Sequence, residues 1–323
     1  MRAAIIRAHG GPEAIEVAEL PDPEPGPGEL LVDVAAAGVN FVDVYYRTGA
    51  YPGELPLQLG TEAAGRVAAV GEGVGGVDVG DRVAWAMRPG AYATRAVIAA
   101  DRVVPVPPGV DDETAAAVLL QGMTAQYLTH TTYPVQPGDT VLVHAAAGGT
   151  GSLVVQMARK RGGDVLATTS TEDKAKLARE SGAVEVIRYD QVDVAEEVRR
   201  ITGGDGVAAV YDGVGASTFD ASLASLRPRG YLVLFGAASG PVPPVDPRRL
   251  QDGGSLFLTR PTLAHYIAAR EELLERSAAV FDAVADGSLQ VRIGGRYRLD
   301  EVGRAHTDLE SRRTTGKLLI LPG

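Results

Sequence analysis

The sequence predicts an α/β protein, a β-rich domain combined with a doubly wound parallel sheet. Three observations predict it. From Asp139 to Phe235 strand and helix patterns alternate, as they do when parallel strands are joined by crossover helices. Residues 1–110 read instead as short strands between glycine-rich turns. The length of 323 residues exceeds what one hydrophobic core usually serves, so two domains are expected.

The apolar run over 3–7 opens the first domain as a strand. Residues 21–28 (PDPEPGPG) form a rigid surface connection, and further strands follow over 29–38, 65–70, 82–86 and 92–98. Asp111 or Asp112 can cap a helix that continues through 115–120. A second helix spans 122–132, and Pro137-Gly138 makes a turn. Strands are then expected over 140–145, 164–169, 185–189, 207–212 and 231–235. Helices over 151–161, 172–181, 194–201 and 217–226 separate them. The remainder carries a long helix (267–285), a strand (291–297), a helix (300–309) and a last strand (317–321). The domains are therefore 1–122 with 267–323, and 123–266 as the nucleotide-binding domain.

Composition narrows the function. No cysteine is present, which removes disulfides, thiolate metal sites, iron–sulfur clusters and cysteine nucleophiles together. Hydrophobic residues make up 45% and charged residues 22%, as in ordinary folded proteins. The net charge of −10 argues against a nucleic-acid partner. No signal-peptide pattern opens the chain and no apolar window suits a membrane span, so a cytoplasmic location is expected.

The segment VLVHAAAGGTGSLVVQMARKRG carries the clearest chemistry. An apolar strand ends in a glycine-rich turn, with Ala146 where a dinucleotide fingerprint has its first glycine, then Gly148 and Gly151. Such glycines let the backbone approach a pyrophosphate, and the amides at the helix start hold phosphate oxygens. NAD binders place an acid at the end of the next strand, but here it reads Thr168-Thr169-Ser170. With Lys174 following and Tyr189 ending the third strand, this favours the 2′-phosphate of NADPH. Lys174 also reads as an ordinary solvated helix charge.

The segment GVNFVDVYYRTGAYP (38–52) follows a strand and gathers Asn40, Tyr45, Tyr46 and Tyr51. Tyrosine faces and phenol donors suit a flat aromatic substrate, although a packing helix at a domain edge would carry the same residues. Thr61 stands where a zinc dehydrogenase has a histidine ligand. His9, His130, His144, His265 and His306 show no ligand spacing and read as surface or satisfied core residues. There is no G-x-S-x-G motif, so serine hydrolase chemistry is not expected.

With GTEAAG, GDRVAW, HAAAGGTG, VYDGVG, FGAASG and LTRPTL added, the whole chain resembles the zinc-free NADPH:quinone oxidoreductases of the medium-chain dehydrogenase/reductase superfamily, the group that includes zeta-crystallin. The resemblance implies a GroES-like catalytic domain (1–122 and 267–323), a Rossmann NADPH-binding domain (123–266) and a homodimer. It places Asn40, Tyr45 and Tyr51 at the catalytic site. Cofactor contacts are implied for Asn40, Phe41, Val42, Asp43, Tyr45, Tyr127, Gly149, Thr150, Ser170, Lys174, Tyr189, Gly213, Phe235, Gly236, Arg260 and Arg312. Two positions depart from the pattern: Thr150 replaces the usual valine, and Gln121 stands where related bacterial enzymes carry lysine.

The expected activity is metal-free reduction of a quinone by NADPH, with Asn40 and Tyr45 bonding a quinone oxygen and Tyr51 forming a wall. The alternatives are C=C reduction of enones or enoyl thioesters, with a tyrosine as proton donor, and a crystallin-like NADPH-binding protein without catalysis.

Overall fold

The computed structural model describes residues 1–323. They form two compact units, residues 1–123 with 266–323 and residues 124–265. The strands are β1 (Arg2–Ile6), β2 (Glu16–Glu19), β3 (Glu29–Val39), β4 (Leu57–Gln58), β5 (Glu62–Val70), β6 (Arg82–Ala86), β7 (Arg95–Ala99), β8 (Val103–Pro105), β9 (Thr140–Val143), β10 (Asp164–Thr169), β11 (Glu185–Arg188), β12 (Val207–Asp212), β13 (Leu226–Leu234), β14 (Phe257–Thr259), β15 (Ile293–Arg298) and β16 (Lys317–Leu321). The α-helices are α1 (Phe41–Thr48), α2 (Asp112–Tyr127), α3 (Gly149–Lys160), α4 (Glu172–Glu180), α5 (Val194–Ile201), α6 (Phe219–Ser225), α7 (Arg248–Asp252), α8 (Leu263–Tyr266), α9 (Arg270–Ala285) and α10 (Val302–Glu310). No helix is long and apolar enough to cross a membrane.

In the first unit β3 is the hub. It pairs antiparallel with β16, β5 and β7, within a seven-stranded sheet of order β15-β16-β3-β5-β6-β8. A smaller sheet runs β2-β1-β4. Leu30, Val32, Trp85, Tyr92, Leu318 and Ile320 meet in its core. Val39 pairs with Leu318 at the far end of β3, so the next residue, Asn40, starts α1 beside the C-terminal strand.

The second unit is a six-stranded parallel sheet of order β11-β10-β9-β12-β13-β14. Its strand order reverses between β9 and β12, which is where open α/β sheets bind ligands, beyond the carboxyl ends of the strands. β12 (VAAVYD) is buried along its whole length, as a central parallel strand requires.

Three sequence expectations need correction. The helix expected over 122–132 is not separate, because α2 passes through Gly122 to Tyr127 and only Leu128–Thr132 winds wider, as a π-helix. Gly122 marks close packing rather than a break: a Cβ there would lie 2.6 Å from Val280 Cγ1 of α9. The helix expected over 267–285 begins at Arg270. The carbonyls of Ile267 and Ala268 accept from Arg102, and that of Tyr266 from Arg276, so side chains occupy the acceptors a continuous helix would use. The strand expected over 92–98 starts at Arg95, because Tyr92 turns inward and donates its hydroxyl to Asp43. The short strands β2, β4, β8 and β14 lack enough alternation to stand out in the sequence.

Candidate functional site

In the first unit the site is built on the start of α1. Asn40 is its N-cap, in extended backbone, and Asp43 accepts the Asn40 amide at 2.9 Å. Asp43 also accepts the Thr61 hydroxyl at 2.8 Å and the Tyr92 hydroxyl at 2.7 Å. Its side chain is fully buried, and burial pushes its carboxyl up to about 6.

Beside it lies an ion pair closed off from water. Lys317 Nζ is 2.6 Å from Glu62 Oε2 and 2.7 Å from Asn40 Oδ1, with the two charged residues 1% and 0% exposed. The Leu120 amide donates to the other Glu62 oxygen at 2.6 Å. Asn40 Nδ2 donates to Glu62 at 3.0 Å and to the Gly38 carbonyl at 3.1 Å, and Gln121 Nε2 reaches Asn40 Oδ1 at 3.5 Å. Gly38 is required here, since a Cβ would sit 2.3 Å from Glu62 Oε2 and 2.6 Å from the Ala116 carbonyl.

Two of the residues expected at the site are bonded within the protein. Both amide hydrogens of Asn40 are engaged within the protein, on Glu62 and on the Gly38 carbonyl, and anchor the start of α1. Asp43 has no exposed surface and acts by capping the same helix. Further along α1 and its loop, the Tyr45 and Tyr51 rings lie 5.2 Å apart and those of Tyr46 and Tyr51 5.7 Å apart, edge to face. Phe41 and Val42 are half-buried in the first turn, and Phe41 lies 6.5 Å from Tyr45. Arg312, on the turn between α10 and β16, is exposed at φ +58°.

In the second unit the glycine-rich turn opens α3 two residues earlier than expected, so Gly149 and Thr150 supply its first amides. The first amides of a helix have no intrahelical acceptor and suit an anion. Ala145 is held at φ +50°, and the Gly148 amide closes onto its carbonyl at 2.9 Å. A Cβ on Gly151 would lie 2.4 Å from that same carbonyl, so any side chain there forces the turn to shift.

Ser170 and Tyr189 come together because Thr169 pairs with Arg188 in the β10–β11 register, and the Tyr189 amide donates to the Thr169 carbonyl at 3.2 Å. Lys174 is on the first turn of α4, capped by Thr171. Of the two acids that could repel a phosphate there, Glu172 and Asp173, Glu172 is turned onto Arg179 (2.8 Å) and Arg188 (3.4 Å), with Arg179 foremost in lowering its pKa. Gly213 and Gly236 touch closely: a Cβ on Gly236 would lie 2.3 Å from the Gly213 carbonyl, and one on Gly213 2.8 Å from the Phe235 ring. Arg260, just past β14, donates to the Leu234 carbonyl at 3.0 Å. Tyr127 ends α2 with its side chain 1% exposed.

These residues fit a dinucleotide. The glycine contacts clear a backbone ridge at the strand ends, and the Thr169 hydroxyl, 3% exposed, has no partner within the protein. Such a buried orphan is costly unless something completes it. They do not fit zinc: no group of three or more His, Asp or Glu side chains could hold a metal, and Thr61 is spent on Asp43.

Glu62, Lys317 and Tyr92 were not among the expected site residues, whereas Thr169 belongs to the hydroxyl-rich strand end already read as suiting a 2′-phosphate. A lone acid in the apolar stretch GTEAAG and a lysine opening the last apolar strand were the only hints.

Residues 26–108 match the family model "Alcohol dehydrogenase GroES-like domain" and residues 149–283 match "Zinc-binding dehydrogenase". The chain is 46% identical over 317 residues to a quinone oxidoreductase of Pseudomonas aeruginosa, covering 98% of each. This chain belongs to the quinone oxidoreductase family. The structure of the Escherichia coli quinone oxidoreductase complexed with NADPH superimposes with a TM-score of 0.98 at 42% identity, covering 100% of both chains. A 2-haloacrylate reductase from a Burkholderia species is 44% identical over 330 residues, covering 99% of this chain and 98% of its own.

Proposed function

We propose that this protein is a metal-independent NADPH:quinone oxidoreductase. When bound, NADPH supplies a hydride from its nicotinamide to an electron-poor acceptor. The amides of Gly149 and Thr150 hold the pyrophosphate. Ser170, Lys174 and Tyr189 take the 2′-phosphate, and Thr169 completes its hydroxyl on the same side. Gly213, Phe235, Gly236 and Arg260 border the rest of the dinucleotide. Tyr127 and Arg312 belong to the same proposal, at the nicotinamide and the remaining cofactor contacts.

On the substrate side, the joined rings of Tyr45 and Tyr51 offer flat faces and phenol donors to a quinone. This aromatic wall, on a helix whose start is fixed by Asp43, Thr61 and Lys317 rather than by a metal, is the observation that carries the proposal. Reduction to the hydroquinone takes one hydride and one proton. Tyr45 or Tyr51 can pass that proton from solvent to the developing phenolate.

The Burkholderia relative supports a second reading, reduction of an activated C=C bond. The hydride then goes to the β-carbon and a tyrosine gives its proton to the α-carbon. Stopped-flow NADPH oxidation separates the two, using 1,4-benzoquinone and 9,10-phenanthrenequinone against alkenals, alkenones and crotonyl thioesters. Quinone turnover is expected. Saturated product without quinone turnover would favour the second reading, and tight NADPH binding with no turnover would make the chain a binding protein. The proposal extends to a cytoplasmic homodimer. β14 is an open sheet edge on which Phe257 is 48% exposed and stacked on Tyr231 at 4.4 Å.

A further inference from the structure

Four side chains form a polar chain under the carboxyl ends of the central strands of the parallel sheet. Thr168 is on β10, His144 follows β9, Ser222 is on α6 and Asp212 ends β12. None is more than 2% exposed. Thr168 Oγ1 lies 2.9 Å from His144 Nδ1, His144 Nε2 lies 3.0 Å from Ser222 Oγ, and Ser222 Oγ lies 2.8 Å from Asp212 Oδ2. The Asp212 carboxylate also accepts the Thr218 hydroxyl (2.7 Å) and the amides of Val214 (2.8 Å) and Gly215 (3.0 Å). Its backbone carbonyl accepts the amides of Phe235 (2.8 Å) and Gly236 (3.3 Å). One network thus joins the ends of four neighbouring strands.

The hydrogens have a single arrangement. A carboxylate only accepts, so Ser222 gives its one hydrogen to Asp212. The Ser222 oxygen then accepts from His144, which puts the ring hydrogen on Nε2. Burial depresses the His144 pKa and keeps the ring neutral. Nδ1 therefore keeps a lone pair and accepts the Thr168 hydroxyl. Although serine, histidine and aspartate meet here, Ser222 faces the aspartate instead of lying beyond the histidine and has no exposed surface, so it is no nucleophile.

The geometry points to His144, as its neutral Nε2–H tautomer, as a positioning residue that locks the glycine-rich turn after β9 to the Asp212–Gly215 turn and so holds the dinucleotide ridge in its binding shape. This rests on the reading that the ridge holds NADPH. The turn after β9 carries Gly149 and Thr150, and the turn after β12 carries Gly213 against Gly236.

The test is calorimetric titration of the full chain with NADPH and NADH, beside 15N NMR of the histidine rings in the unliganded protein. Ser222→Ala removes the link between His144 and Asp212 and should weaken both nucleotides about tenfold, because the ridge is common to both. His144→Ala should act alike, while His144→Gln, which can again donate to Ser222, should recover most of the affinity. Tyr133→Phe, which cuts a 2.9 Å bond to Asp139 near the start of β9, controls for general loss of stability and should leave affinity unchanged. Wild-type affinity in Ser222→Ala, or equal losses in Ser222→Ala and Tyr133→Phe, would overturn the positioning role while leaving the NADPH reading intact. An Nδ1–H ring at His144 would overturn the hydrogen assignment. Failure of the wild type to bind NADPH would overturn the underlying reading instead.

Discussion

Replacing Lys317 by methionine would remove an ammonium that lies 2.6 Å from Glu62 and 2.7 Å from Asn40, while keeping most of the side-chain volume. The carboxylate left behind has no exposed surface, so water cannot replace the lost charge. Its remaining donors are the Leu120 amide at 2.6 Å and the Asn40 amide group at 3.0 Å, both neutral. Breaking a buried pair from one side costs about 3–5 kcal/mol. Adding Glu62→Gln removes the stranded charge and keeps an oxygen for Leu120, so the double variant should recover about 2 kcal/mol of that loss. Trp85, the only tryptophan, is fully buried on β6 in the same unit, so its fluorescence follows unfolding of that unit in urea. With a slope of about 2 kcal/mol/M, the Lys317→Met midpoint should fall by about 2 M. A loss under about 1 kcal/mol, or a double variant equal to the sum of the two single losses, would refute the claim that this pair is energetically closed off from water.

Asp43 holds its proton longer in the folded chain, at about 6 against an ordinary 3.8. Its contribution to stability is full below 3.8 and is lost as pH rises through 6, a change of about 3 kcal/mol. Thermal melts from pH 4 to 7 should show that slope in the wild type minus Asp43→Asn, and an unchanged slope would contradict it. Gly151→Ala should keep the fold but weaken NADPH by about 10- to 100-fold in a binding titration, because the Ala145 carbonyl must move; near-native affinity would count against the close contact. Lys174→Ala should weaken NADPH about tenfold and leave NADH nearly unchanged. Equal loss of both would remove Lys174 from the 2′-phosphate site.

What could be read from the sequence was local. The glycine-rich turn announces itself because strand, turn and helix lie within about twenty residues of one another. The parallel sheet follows from alternation, and α1 from the residues after β3. What escaped was set by distance along the chain. Lys317 meets Glu62 across 255 positions, and Arg47, which looks like an ordinary helix charge, is 1% exposed and grips Glu310 across 263. Gly122 reads as a helix break in sequence, and only Val280 on α9 reveals it as a packing notch. The amide of Asn40 looked available for a ligand because Glu62, Gln121 and Lys317, which join Gly38 in engaging it, lie on separate segments.

The pairing of β16 with β3 has a consequence for synthesis. Glu62 is made early, yet its ammonium partner and the strand that seals it arrive only when the ribosome reaches Lys317. Until then the larger sheet lacks two of its seven strands and Glu62 carries an unanswered charge, whereas residues 124–265 are complete and can fold during translation. The first unit is therefore the late-maturing part of the nascent chain. Premature stops before Lys317 would leave its sheet without β16 while every residue of the parallel sheet is already made.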